Sequence, residues 1–160
     1  PAHHRRIQAG ILSWGQDLDH ETSPFQVNLS YQVPRNKKSD YIGKAELERQ
    51  RNIVDAGDAP FKMKMVGIIF GGKQITDYAP DFWLIADTEG NDMGYVTSPW
   101  WSPELETNVA LAWVPWSSSE IGTKLQVKLP DEYSDGGPAQ GEVVEELVTE
   151  GSDNLINIQA

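Results

Sequence analysis

From Phe25 to Val33 the chain alternates: Phe25, Val27, Leu29, Tyr31 and Val33 are apolar, and Gln26, Asn28, Ser30 and Gln32 between them are polar. A period of two predicts a strand with one wet face. Upstream, residues 3–14 read as a short helix running into a turn at Gly15, and Asp17 to Pro24 as a polar loop closed by Ser23-Pro24. Pro34 to Lys38 is a basic turn. Ser39-Asp40 then precedes a helix predicted from about Tyr41 to Val54, with Lys44 and Glu48 one turn apart and able to pair. Asp55 to Pro60 reads as a linker and marks a domain boundary.

After Pro60 the texture changes to short apolar runs separated by Gly, Pro and Asp. Strands are predicted at Lys62–Phe70, Phe82–Ala86, Asp92–Thr97, Asn108–Trp113, Lys124–Leu129 and Glu142–Val148. Turns fall at Gly71-Gly72, read as a hairpin, at Glu89-Gly90-Asn91, from Pro115 to Ser119, and at Asp135-Gly136-Gly137-Pro138. Short strands at this spacing predict a small antiparallel barrel or sandwich. The chain therefore divides into residues 1–57, residues 60–148, and a patternless stretch, 149–160, read as a flexible tail.

Composition narrows the function classes. The chain has 160 residues, 39% of them apolar, with 6 Trp, 5 Tyr and 4 Phe, enough to fill a packed core. Against 13 Lys+Arg stand 24 Asp+Glu, a net charge of -11. Such a surface repels phosphate backbones, which argues against a nucleic-acid partner. No Lys or Arg follows Lys128, while Asp131, Glu132, Asp135, Glu142, Glu145, Glu146, Glu150 and Asp153 do. This reads as a solvated acidic edge, or alternatively as a docking surface for a basic protein partner. The absence of cysteine removes thiolate nucleophiles, zinc-thiolate sites and disulfides, and suits a cytoplasmic protein. No apolar run reaches the roughly 18–20 residues that span a bilayer, and no signal-peptide pattern is present. The chain starts at Pro1 and enters at once what reads as the interior of an element. That points to a cut chain, with initiator-Met removal or a trimmed tag as alternatives.

Few constellations suggest chemistry by themselves. Asp17, Asp19, His20 and Glu21 lack the later glycine and terminal glutamate of a calcium loop and the second histidine of a zinc helix, so they read as turn and cap residues. His3 and His4 are adjacent and would point in different directions on a helix. Gly71-Gly72-Lys73 is not a complete phosphate loop, and Ser117-Ser118-Ser119 has no nucleophile elbow. The aromatic residues are less routine: Trp100-Trp101, placed on a loop between Ser98-Pro99 and Ser102-Pro103, and Trp14 before Gly15 could stack a flat heterocycle or plug a barrel mouth.

Several stretches, in order, resemble one family. Arg6-Ile7-Gln8-Ala9-Gly10-Ile11-Leu12-Ser13-Trp14-Gly15-Gln16-Asp17 is similar to the arginine-x-glutamate-(Ala/Gly)-Gly…aromatic-Gly-(Asn/Gln)-Asp segment of aminomethyltransferases, the T-proteins of the glycine cleavage system. Thr22-Ser23-Pro24-Phe25 with Leu29 resembles the strand that follows it, and Asp40-Tyr41-Ile42-Gly43-Lys44-Ala45-Glu46-Leu47 the start of the next helix. Gly94-Tyr95-Val96-Thr97-Ser98, Ser102-Pro103-x-Leu105-x-Thr107-Asn108-Val109-Ala110 and Gly122-Thr123-Lys124-Leu125-x-Val127 resemble the C-terminal barrel. The likeness runs from residue 5 to about 147. The Leu-Ser-aromatic-Gly run and Trp101-Ser102-Pro103 look nearer to the dimethylsulfoniopropionate demethylase branch.

The resemblance implies a β-rich α+β fold: a six-stranded antiparallel β-barrel, preceded by a strand-helix remnant of a folate-binding domain. It implies tetrahydrofolate as acceptor of a one-carbon unit from a small-molecule donor, with the pterin in a hole among three domains. The family's proton-handling carboxylate belongs to its N-terminal half, so no catalytic residue is expected in this chain, which alone should be inactive. Two folate-binding positions carry over: Arg6 matches the family arginine, and Trp14 stands where the family usually has Tyr. Trp14 keeps the flat ring but lacks the phenolic hydroxyl, and Gln8 replaces the usual Glu; these two departures put glycine-cleavage chemistry in question more than folate binding. The resemblance also admits a folate-binding module of a flavin-linked dimethylglycine or sarcosine oxidoreductase. A non-catalytic protein-binding barrel is the reading from another class.

Overall fold

The computed structural model describes residues 2–145 and 147. Six strands, β1 (Met63–Phe70), β2 (Trp83–Ala86), β3 (Asp92–Ser102), β4 (Thr107–Pro115), β5 (Lys124–Val127) and β6 (Ala139–Val144), close into an antiparallel barrel in the order β1-β4-β3-β2-β5-β6. Between the two folds left open by periodicity, this is the barrel. Val66, Ile68 and Phe70 of β1, Ala110, Ala112 and Val114 of β4, and Leu125 and Val127 of β5 fill its interior. The opposite faces of β1 and β4 carry Met65, Val109, Leu111 and Trp113, which form a second cluster with Ile7, Val27 and Leu147. β4 is thus buried from Asn108 to Val114, which is why it reads as an almost unbroken apolar run.

The N-terminal segment covers that outer face. Helix α1 (Ala2–Gln8) is shorter than the stretch 3–14 predicted from sequence. Gly10 takes φ 64°. The Gly10 N–H then donates to the Ile7 carbonyl (3.0 Å) and the Ile11 N–H to that of Arg6 (2.8 Å), closing the last turn as a Schellman motif. Helix α2 (Lys44–Asp55) forms close to its predicted span, with Lys44 and Glu48 at 4.0 Å.

The strand predicted from Phe25 to Val33 is not one. Phe25, Val27 and Val33 are buried, so the alternation does report an inner face. The backbone, however, turns: Leu29 N–H donates to Pro24 (2.9 Å), and Ser30–Gln32 form a 3-10 turn. Asn28 sits at φ 59°, a conformation asparagine tolerates and a strand does not. The segment still completes a sheet edge. β6 pairs with β1 only from Gly67 to Phe70, leaving the start of β1 open on that side. There the Met65 N–H donates to Gln26 O (2.8 Å), Asn28 Nδ2 to Met65 O (3.1 Å) and Gln26 Nε2 to Met63 O (3.2 Å). Side-chain amides replace part of a missing strand.

Three further differences bear on the site. β3 continues through Trp100-Trp101 to Ser102, because Ser98 to Ser102 pair with Leu111 to Thr107 of β4; the Trp pair is in the sheet, not on a loop. β6 begins at Ala139, earlier than predicted, where Val127 of β5 pairs with it; the last part of the predicted span, at Glu146 and Val148, and the stretch 149–160 lie outside the described residues. Gly71-Gly72 is not a hairpin turn, since β1 neighbours β4 and β6 but not β2. The chain instead leaves the barrel there, pinned by the buried Asn108. Its Nδ2 donates to Gly71 O (3.1 Å) and Lys73 O (3.0 Å), and its Oδ1 accepts from Ile75 N (3.2 Å). In the loop after β5, Leu129 and Tyr133 pack onto the core while Asp131, Glu132 and Asp135 are exposed.

Candidate functional site

A buried polar seam joins the N-terminal segment to β3, and Asp17 is its hub. Ser13 to Asp17 form a tight turn, with Asp17 N–H donating to Ser13 O (2.8 Å) and Gly15 N–H to Leu18 O (2.8 Å). The Asp17 side chain has no exposed surface (0%), and that of Arg6 is 18% exposed. Asp17 Oδ2 accepts from Arg6 Nη1 (2.8 Å) and from the Ser13 N–H (2.8 Å). Asp17 Oδ1 accepts from Thr97 Oγ1 and Ser98 Oγ, both at 2.6 Å. Its backbone carbonyl accepts from the Trp113 indole N–H (2.9 Å). A buried carboxylate is costly unless paired and fully bonded, and this one is both.

Thr97 and Ser98 are neighbours, and on a regular strand they would face opposite sides. A bulge brings them together: Val96 pairs with Ala112 and Ser98 with Leu111, so Thr97 is an extra residue in β3. Pro99, unable to donate to a ladder, follows directly. Ser98 Oγ also accepts from Arg6 Nη2 (2.8 Å), closing a ring of Arg6, Asp17 and Ser98. Arg6 Nη1 further donates to Ile11 O (3.1 Å). Of the five N–H donors of a guanidinium, the Nε–H and one Nη2–H have no partner among the described residues.

Arg6, on helix α1, and Ser13, next to Trp14 in the following turn, both donate to Asp17 Oδ2, so one carboxylate ties the helix to the turn that carries Trp14. Trp14 is 69% exposed, a free flat ring. Gln8 is buried, and its Nε2 donates to Ser102 Oγ (2.9 Å) and Glu104 Oε2 (3.3 Å). A glutamate there would set two carboxylates against each other, so the glutamine answers to Glu104 inside this chain.

Other candidates do not join the seam as ligands. Trp100 packs in the outer cluster and stacks on His3 (5.4 Å between centroids), while the Trp101 N–H donates to Ile75 O (2.9 Å). Asp19 caps its own turn, accepting from Glu21 N–H (2.9 Å) and Thr22 Oγ1 (3.2 Å). Among the described residues no group of three His, Cys, Asp or Glu side chains could hold a metal ion, and no helix is long and apolar enough to cross a membrane.

The fold and seam define a small closed β-barrel domain carrying an N-terminal strap, with a charged cluster built where strap and barrel meet. The chain belongs to the family described as the glycine cleavage T-protein C-terminal barrel domain, whose sequence model matches residues 61–144. It is 32% identical over 124 residues to an aminomethyltransferase of Synechococcus sp. (strain CC9902), covering 78% of this chain and 31% of that protein. Over 125 residues it is 34% identical to an aminomethyltransferase of Synechocystis sp., again covering 78% of this chain and 31% of the relative. The crystal structure of glycine cleavage system aminomethyltransferase T from Bartonella henselae superposes with a TM-score of 0.67 at 25% identity, over 89% of this chain and 36% of that one. The chain thus spans about a third of the length of the relatives it matches.

Proposed function

We propose that this chain forms the folate-facing C-terminal part of a tetrahydrofolate-dependent one-carbon transferase of the aminomethyltransferase type. The observation that carries the reading is Arg6: a guanidinium fixed by a buried carboxylate, with two N–H donors unpartnered among the described residues. Paired donors in a fixed plane suit a carboxylate or a heterocycle carbonyl. Trp14 adds an exposed ring on which a pterin or an aminobenzoyl group can stack. Tetrahydrofolate carries all three features, and the site supplies a partner for each kind. The role is positioning, since holding the folate amine in attack geometry on the one-carbon donor removes much of the barrier.

Proton handling falls to a group outside this chain. Asp17 is the buried carboxylate at the site, and each of its oxygens already accepts two hydrogen bonds, so it has no free lone pair with which to act as a base. The Gln8–Glu104 contact keeps a carboxylate beside the position of the family's glutamate, which supports the aminomethyl reading.

Trp14→Ala tests the reading with little risk to the fold, since a substitution this exposed changes stability by no more than about 0.5 kcal/mol. Equilibrium titration with tetrahydrofolate is expected to show about tenfold weaker binding, the equivalent of one lost stacking contact. Arg6→Lys keeps the charge, loses the fork, and should weaken binding at least as much. Unchanged affinity in both variants contradicts the proposal.

A further inference from the structure

We propose that the β3 bulge at Thr97–Ser98 is the positioning element for Arg6, acting through Asp17, so that the barrel sets the affinity of the folate wall. This rests on the functional reading above. Arg6 Nη1 donates to Asp17 Oδ2 and to Ile11 O, and contacts at that one nitrogen leave the other end of the guanidinium unheld. The contact of Arg6 Nη2 with Ser98 Oγ at 2.8 Å holds a second nitrogen, fixes the plane and decides which N–H donors face outward. Ser98 can serve both partners because its single proton goes to Asp17 Oδ1 while its lone pair receives Arg6. Thr97 bonds the same Asp17 oxygen from the other side of the bulge and holds the carboxylate against rotation. Without the extra residue in β3, one of these two hydroxyls would point into the barrel. Both are buried, Thr97 at 1% and Ser98 at 2%, so water does not compete for them. Ser98 is thus a positioning residue that never touches the ligand.

The experiment compares wild type, Ser98→Ala, Ser98→Thr and Arg6→Lys, alone and with Ser98→Ala added to Arg6→Lys, by tetrahydrofolate titration, thermal unfolding and 15N NMR of the Arg6 guanidinium. Ser98→Ala is expected to weaken binding about tenfold, the scale of one charge-assisted hydrogen bond. It should also collapse the separate Nη resonances of a fixed guanidinium into one. Ser98→Thr, which keeps the hydroxyl, should restore both. Adding Ser98→Ala to Arg6→Lys should cost nothing further, as expected of two residues acting as one unit. If Arg6→Lys weakens binding and Ser98→Ala does not, the folate reading stands and the positioning role falls. The role also falls if Ser98→Ala weakens binding only alongside a lowered unfolding temperature and Ser98→Thr fails to rescue it. If Arg6→Lys itself binds as wild type, the folate reading fails and takes this proposal with it.

Discussion

Asn108 has no exposed surface, yet it is polar and sits at the start of the most buried strand. Its amide takes the place of a strand partner for the loop at Gly71 to Ile75. Asn108→Ala would leave the buried Ile75 N–H unsatisfied and release the loop carbonyls of Gly71, Gly72 and Lys73, and is expected to cost about 2 kcal/mol in denaturant unfolding. Glu106 presents the opposite case. It turns β3 into β4 at φ 50°, a strained angle for a residue with a Cβ. Glu106→Gly should therefore stabilise the protein, by up to about 1 kcal/mol in the same assay. At this scale the sequence was partly legible. The motif picked out Arg6 and Trp14, but Asp17 read as one more turn acid beside Asp19. Nothing in local spacing distinguishes a buried carboxylate from an exposed one; the difference lies in Thr97 and Ser98, about eighty positions away.

Among elements, the barrel strands were the most legible part. β1, β2 and β4 stand within about two residues of their sequence-based bounds, because Gly, Pro and Asp mark their ends and apolar residues fill their interiors. The segment from Phe25 to Val33 failed for a definite reason. Period two reports which side chains are buried, and a turning coil with Asn28 in the left-handed region can bury alternate residues as a strand does. The bulge left a trace, two hydroxyl residues and a proline inside an apolar run, but a trace that equally marks a strand end. Gly94, in the same strand, was legible only as part of a motif. A Cβ there would lie 2.2 Å from the Trp113 carbonyl oxygen, so β4 crosses β3 at this point on bare backbone. Gly94→Ala is expected to force the strands apart and cost about 3 kcal/mol, read as a lowered unfolding midpoint.

For the whole molecule, the barrel acts as a rigid base on which the N-terminal strap is fastened through Asp17. Lys64 pairs with the interior residue Val114 and lies under the Trp116 ring, 5.2 Å from its centre. Burial holds the Lys64 pKa below the ordinary 10.5. Between that lowered value and 10.5 Lys64 binds more protons in the unfolded chain than in the folded one, so its contribution to stability rises with pH across this window. Lys64→Met should raise the unfolding temperature at neutral pH and flatten the alkaline rise; a rise unaltered by the substitution would place its cause elsewhere. The central claim, that the strap and barrel together present a folate wall at Arg6 and Trp14, is tested most directly by mapping NMR shifts during titration with tetrahydrofolate. The largest changes are expected at the Trp14 indole N–H and the Arg6 Nε–H, with the Ser98 amide following through its contact with Arg6 Nη2. Shifts that leave these three unmoved at saturating tetrahydrofolate, or that gather instead at the loop pinned by Asn108, would contradict it.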